Sequence, residues 1–593
     1  MPHVSRLWWT ALASTVGLAL LAVSAQEPPR VSSRVSQDAL LAAHGAEWLT
    51  YGRDYAETHF SPLDRIDASN VGRLGLAWSV DLGSENRVEG TPLISNGILY
   101  ASTAWSKVFA VNARTGALKW KWDPGLVRGG ARAGGPSLCC GPVNRGVALY
   151  QDKVYVGLLD GRLVALNAET GDVVWAVQTT PLGKDYSITG APRIVKGKVV
   201  IGNGGAEFGV RGYVTAYDAE TGEQAWRFYT VPGNPADGFE NPALERAAAT
   251  WKGEWWKYGG GGTVWDGMAY DPAADLLYIG VGNGSPWNRD IRSPGGGDNL
   301  YLTSILALRP DSGDLVWYYQ TSPGEDWDYT AVQPIVLADL TIDGQPRRVL
   351  MQAPKNGFLY VIDRLTGKLI SAEPYVEVTW AERIDKETGR PVETALARYG
   401  ADGVMLAPGP AGAHNWHPMS FNPETGLLYI PGRLSRFFYS RPPEFNYLAG
   451  RSNPGVPFGR GPGPNPAEQP SPAQEFVVAW DPVAQKERWR FSLAPGVPTT
   501  GGGFNMNAGT LSTGGNLVFS GDGRGLFYAL HAETGAKLWS FQLYPTIATP
   551  ITYELDGRQY VSILSGNGVA NSAPGRLYTF ALDGKGAMPV ITR

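Results

Sequence analysis

A pattern ending in tryptophan recurs along this chain, and it constrains the fold more than any other feature. VFAVNARTGALKW (108–120), LVALNAETGDVVW (163–175), VTAYDAETGEQAW (214–226), ILALRPDSGDLVW (305–317), VVAWDPVAQKERW (477–489) and FYALHAETGAKLW (527–539) share it. In each, an alanine precedes a tryptophan by ten residues: Ala110/Trp120, Ala165/Trp175, Ala216/Trp226, Ala307/Trp317, Ala479/Trp489 and Ala529/Trp539. LYVIDRLTGKLIS (359–371) keeps the turn but puts Ser371 in the tryptophan's place. Each copy reads as strand, tight turn, strand, because short β runs flank Asn/Asp-x-x-Thr-Gly and the glycine accepts positive φ. A further strand signal precedes most copies, as in GILYAST, DKVYVGLLDG and GKVVIGNGG, so each unit is a small antiparallel sheet. One such sheet cannot bury both faces alone, and the tryptophan is large enough to lock neighbours together. The pattern predicts an all-β chain and a β-propeller with tryptophan-docking repeats, taken as an eight-bladed β-propeller.

Composition agrees. Of 593 residues, 76 are Gly, 44 Pro, 21 Trp and 27 Tyr, while charged residues make up 18%. Many turns and aromatics with few charges suit short strands rather than helices. A net charge of −4 gives no basic face for nucleic acid, and two cysteines exclude a disulfide-rich scaffold and any four-cysteine metal site. Arg6, the apolar run Thr10 to Ala22 and Val23-Ser24-Ala25 read as a cleavable export signal over 1–25, the alternative being an uncleaved anchor. That run is short of the ~20 residues needed to span a bilayer, so the protein is not expected to be an integral membrane protein. The mature chain would begin near Gln26 and work in the periplasm. Residues 26–593 form a single propeller domain with about 71 residues per blade, above the roughly 40–50 of compact repeats. The surplus falls in long loops, above all 232–262 and 440–474, the second read as an ordered rim or a mobile linker.

Several residues exceed what the repeats need. Cys139 and Cys140 are adjacent and are the only cysteines. In an oxidising compartment they favour a vicinal disulfide, the alternative being two reduced, buried thiols. Glu207 in GNGGAEFG, Asn283 in GVGNGSPW and Asp328 in PGEDWDYT are hard oxygen donors suited to Ca²⁺, although each also fits a turn or cap. Aromatic neighbours would dry the surroundings of Asp328, as a general base requires, the alternative being a surface turn.

WLTYGRDYAETHFSPLDRI, CCGPVNRGVALY, YSITGAPRIV, GNGGAEFGVRG, GTVWDGMAYDP, GNGSPWNRD, PGEDWDYT, APKNGFLYVIDRLTGK and HNWHP occur in this order. With them, residues 45–585 resemble the pyrroloquinoline quinone (PQQ)-dependent alcohol dehydrogenases, eight-bladed quinoproteins, and look closest to the single-subunit ethanol type. The resemblance implies a quinone lying flat on the axis, with the Cys139–Cys140 ring on one face and Trp265 stacked on the other. It implies that Glu89, Arg145, Thr189, Gly205, Ala206, Thr263, Lys355, Asn415 and Trp416 hold the cofactor's carboxylates and carbonyls. For Glu89 an edge-strand surface carboxylate is the alternative. It further implies that Glu207, Asn283 and Asp328 ligate Ca²⁺, which polarises the quinone C5 carbonyl. Asp328 would take the alcohol proton as hydride moves to C5, leaving an aldehyde. Lanthanide-using relatives carry a second Asp where this chain has Thr330, so Ca²⁺ is expected.

The chain contains no C-x-x-C-H and so attaches no c-type haem. Electrons are expected to leave to a separate cytochrome c. A homodimer is left open. Two rival readings remain: a non-catalytic propeller scaffold, and a quinoprotein acting on sugars or polymeric alcohols.

Overall fold

The computed structural model describes residues 34–589 apart from 44, 85, 127–137, 458–472, 494–507, 546–547 and 567–573. The export signal over 1–25 therefore lies outside the described residues. Eight sheets of four antiparallel strands form the blades of a β-propeller, and Phe60–Ser61 joins one of them in parallel. Seven follow chain order at 93–122, 148–178, 193–229, 268–320, 335–374, 420–492 and 511–542. The eighth takes three strands from 551–582 and its outer strand, Leu74–Ser84, from the far end of the chain. Among the described residues no helix is long and apolar enough to cross a membrane.

The repeated tryptophan acts between blades. Its indole N–H donates to a carbonyl of the next blade's turn: Trp120 to Ala168 O (3.0 Å), Trp175 to Ala219 O (3.2 Å), Trp226 to Pro310 O (2.8 Å), Trp317 to Arg364 O (3.2 Å) and Trp489 to Ala532 O (2.9 Å). Trp539 reaches Leu74 O in the eighth blade at 2.9 Å. The glycine of the next blade's turn lies flat against the same ring. A β-carbon on Gly171, Gly222, Gly313, Gly367 or Gly535 would come within 2.9 Å of it. That glycine therefore serves the turn and the docking at once. Where Ser371 replaces the tryptophan, the next blade's turn carries Gln485 (φ +51°) in the glycine's place. Burying about 200 Å² of indole is worth roughly 5 kcal/mol per interface before ordering costs. A further docking tryptophan went unrecognised in the repeat pattern: Trp78, on Leu74–Ser84, donates to Ala113 O and packs on Gly116.

Residues 55–59 step round the inner edge of the ring. Their carbonyls accept from successive innermost strands, Tyr55 from Tyr270 N, Ala56 from Leu337 N, Thr58 from Phe421 N and His59 from Ser512 N.

Strands alternate in direction, so the links between first and second and between third and fourth strands emerge on one face. The other links emerge on the opposite face. The Thr-Gly turns belong to the first set. Both long loops belong to the second. The stretch 232–262 follows the third blade and includes the helix Pro242–Ala248. Within 440–474, the described residues up to 457 are tied down: Tyr447 OH donates to Phe208 O (3.0 Å), Asn453 N to Glu207 O (2.8 Å) and Trp287 N to Pro454 O (2.7 Å).

Candidate active site

The face opposite the Thr-Gly turns holds a cavity of about 370 Å³. Among the described residues its lining comes from links between a blade's fourth strand and the next blade's first, and between second and third strands. Cys139, Cys140, Arg145, Thr189, Gly205, Ala206, Thr263, Trp265, Lys355, Asn415 and Trp416 all line it. So do Glu207, Asn283 and Asp328. Residues spread over nearly 300 positions of sequence thus meet at one place.

Cys139 and Cys140 are joined as a disulfide, and Cys139 is exposed, so the alternative of two reduced, buried thiols does not hold. Glu89 is set just behind the lining and is almost fully buried, which overturns the alternative of a surface carboxylate. Arg87 Nε lies 2.8 Å from its Oε1, and Arg145 Nη2 3.1 Å from its Oε2. Arg87 also donates to Cys140 O at 2.7 Å, which fixes the disulfide against this pair. Arg145 donates to Thr189 Oγ1 at 2.9 Å and lies over the Trp265 and Trp416 rings, 5.3 and 4.9 Å from their centroids. Among the described residues its buried Nε has no hydrogen-bond partner, and it lies 3.9 Å from Asp266 Oδ2. Asp266, next to Trp265, is buried, and among the described residues nothing hydrogen-bonds its carboxylate oxygens, the Arg145 guanidinium lying 3.9 Å away. Burial pushes its pKa up to about 6 against the pull of Arg145 and Arg193. Trp416 is backed by His417, whose ring stacks on it at 3.8 Å. His414 bridges Ala353 O and His417 O and so fixes the turn carrying Asn415.

The acidic side of the cavity has three parts. Glu207 sits on the short turn Ala206–Phe208, and its Oε1 accepts from Asn283 Nδ2 (2.7 Å) and Trp287 Nε1 (3.0 Å). Asn283 Nδ2 also donates to Gly284 O, so its amide oxygen is the atom that could face a cation. Asp328 is buried, so it is no surface turn, and Lys355 Nζ donates both to its carbonyl (2.9 Å) and to its Oδ2 (3.0 Å). Burial raises the Asp328 carboxyl well above the usual carboxylate range, Lys355 opposes the shift and Glu207 adds to it. Two carboxylates held together in a buried cavity make a place that a bound cation relieves. Among the described residues no three His, Cys, Asp or Glu side chains converge. Glu207, Asn283 and Asp328 offer two carboxylates and an amide oxygen, a hard set that would fit Ca²⁺. The rest of the lining fits a flat, polyanionic ring: an indole, a disulfide and three cationic side chains.

Sequence reasoning assigned no role to Arg87, Ser187, Gly204, Trp287, Ser452 or Pro454, which also line the cavity. Ser452 and Pro454 lie within the 440–474 loop, and GNGSPWNRD contains Trp287, but neither segment carried a signal for the particular residue.

The family description "Glucose/ethanol/alcohol dehydrogenase, beta-propeller domain", under the name PQQ, matches residues 48–383 and 473–561. A quinohemoprotein alcohol dehydrogenase of Pseudomonas putida is 55% identical over 92% of this chain and 79% of its own length. The crystal structure of the quinohemoprotein alcohol dehydrogenase from Comamonas testosteroni superposes with a TM-score of 0.87 at 46% identity, covering 95% of this chain and 84% of that one. A europium-containing methanol dehydrogenase gives 0.80 at 33% identity, covering 92% of this chain and all of that one. Matched over well over half its length, and with the blade-by-blade cavity in place, the chain belongs to the PQQ glucose/ethanol/alcohol dehydrogenase β-propeller family.

Proposed function

We propose that this protein is a periplasmic quinoprotein that oxidises a small alcohol to its aldehyde, with PQQ as oxidant and Ca²⁺ at Glu207, Asn283 and Asp328. The observation that carries this reading is the single cavity that gathers the disulfide, Trp265, the cationic side chains and those three oxygen donors. When bound, PQQ supplies a two-electron acceptor beside a Lewis-acidic cation. Arg145 and Lys355 meet the cofactor's carboxylates, while Thr189, Thr263 and Asn415 offer hydrogen bonds at its rim. Asp328 takes the alcohol's hydroxyl proton. Lys355 occupies Oδ2, and among the described residues nothing donates to Oδ1, so Oδ1 is the basic oxygen. Trp287, Ser452 and Pro454 wall the cavity and keep water from the base. A space of about 370 Å³ shared with a three-ring cofactor favours a small alcohol over a polymer or sugar. A scaffold without catalysis would have no use for the buried base or its ammonium partner. The electrons taken from the alcohol then pass on to a cytochrome c.

Asp328→Asn is expected to abolish turnover while PQQ and Ca²⁺ still bind, and near-normal turnover would remove Asp328 from the chemistry. Apo-protein given PQQ and Ca²⁺ should reduce a dye when ethanol is added. Activity restored only by La³⁺ or Ce³⁺ would overturn the choice of Ca²⁺.

A further inference from the structure

The three oxygen donors belong to different loops, and one carboxylate beneath them joins those loops. Glu325 is fully enclosed. Its Oε1 accepts from Trp327 N (2.6 Å) and Tyr329 N (3.0 Å), the amides on either side of Asp328. Its Oε2 accepts from Gly284 N (2.9 Å), the amide that follows Asn283. Asp328 has φ +64°, a left-handed conformation that residues with a β-carbon seldom adopt, and the two flanking amides pin it there.

A second buried group completes the arrangement. Arg292, also fully enclosed, lies 3.9 Å from Glu325 Oε2 and donates to Glu325 O at 2.6 Å. It donates as well to Pro286 O (2.6 Å) and Trp287 O (2.7 Å). Trp287 in turn holds Glu207 through its indole N–H. A β-carbon on Gly284 would lie 2.2 Å from Arg292 Nη1, so only glycine lets the guanidinium reach this position. Every donor of the acidic set is therefore tied, at one or two removes, to the same ion pair.

We infer that Glu325 is a positioning residue: it fixes the distance between the Asp328 and Asn283 loops and thereby sets how tightly the cation is held. The inference rests on the cation site proposed above. A carboxylate can accept on both oxygens, whereas a carboxamide accepts on one. In Glu325→Gln, whichever way the amide turns, an NH₂ faces backbone N–H groups and one loop loses its tie.

The test is a chelator-buffered Ca²⁺ titration of the PQQ-loaded protein, followed by quinone absorbance. Glu325→Gln is expected to weaken Ca²⁺ binding by about tenfold or more, with turnover recovering at saturating Ca²⁺. Glu325→Asp keeps the charge facing Arg292 but is one methylene too short to span both loops, and should weaken binding similarly. Affinity within twofold of the parent in either folded variant overturns the inference, as does an equal fall in melting temperature with and without Ca²⁺. In the unmutated protein, hydrogen exchange should find the amides of Gly284, Trp327 and Tyr329 protected before Ca²⁺ is added, and rapid exchange there also overturns it. If the unmutated protein itself takes up no Ca²⁺, the cation site fails instead.

Discussion

The pairing of each docking tryptophan with a glycine of the next blade can be tested with an internal control. Gly367 and Gly426 both close turns of the Asn/Asp-x-x-Thr-Gly type, with φ +74° and +68°. Each donates its N–H four residues back, to Asp363 O (2.8 Å) and Asn422 O (2.9 Å). Only one meets an indole. A β-carbon on Gly367 would lie 2.6 Å from Trp317 Cε3, whereas one on Gly426 would meet nothing within 4 Å. Alanine at either site carries the left-handed penalty of roughly 1–2 kcal/mol. At 367 it also overpacks against a ring whose Nε1 is held by Arg364 O, adding about 1–3 kcal/mol. Gly367→Ala should therefore cost about 2 kcal/mol more than Gly426→Ala. Urea unfolding followed by tryptophan fluorescence, with unfolding rates measured alongside, reads the difference. In a Trp317→Leu background the excess at 367 should vanish. Equal losses at the two glycines, or an excess that persists without the indole, would refute the docking argument.

Two further outcomes are expected. Arg145→Ala removes the guanidinium that contacts Glu89, Thr189 and both indoles, and should weaken PQQ binding by roughly 1.5–3 kcal/mol; unchanged affinity in a fluorescence titration would take Arg145 out of the cofactor site. Burial raises Glu475 from 4.5 to about 7, partly opposed by Arg433, so between those values the folded chain binds the extra proton. Its contribution to stability is whole below pH 4.5 and lost as pH rises through 7, roughly 3 kcal/mol at most. Glu475→Gln should flatten that part of the stability profile, and an unaltered slope would show that Glu475 does not titrate there.

What could be read from the chain alone followed from whether the signal was local. The blades were legible because alanine, turn and tryptophan recur at fixed spacing within each hairpin. Trp78 escaped notice because its strand lies some 490 residues from the sheet it completes, so no hairpin surrounds it. The cavity residues were legible through motifs compared with a known family, and all but Glu89 line the space, with Glu89 directly behind. Arg87 was not, since its role depends on Glu89 and on a carbonyl 53 positions away. Glu325 stood inside PGEDWDYT without a role, because what matters is the amide of Gly284, which only folding brings near.

The eighth sheet has a consequence for how the molecule is made. Its outer strand is synthesised well before its remaining three. Until residues 575–582 emerge, Leu74–Ser84 is a strand without its partner, with an open row of N–H and C=O groups prone to misassociation. The segment 551–582 works like a keystone: the ring closes only once residues 575–582 have paired with Leu74–Ser84. A chaperone or a delay in folding would have to shelter that early strand through the interval.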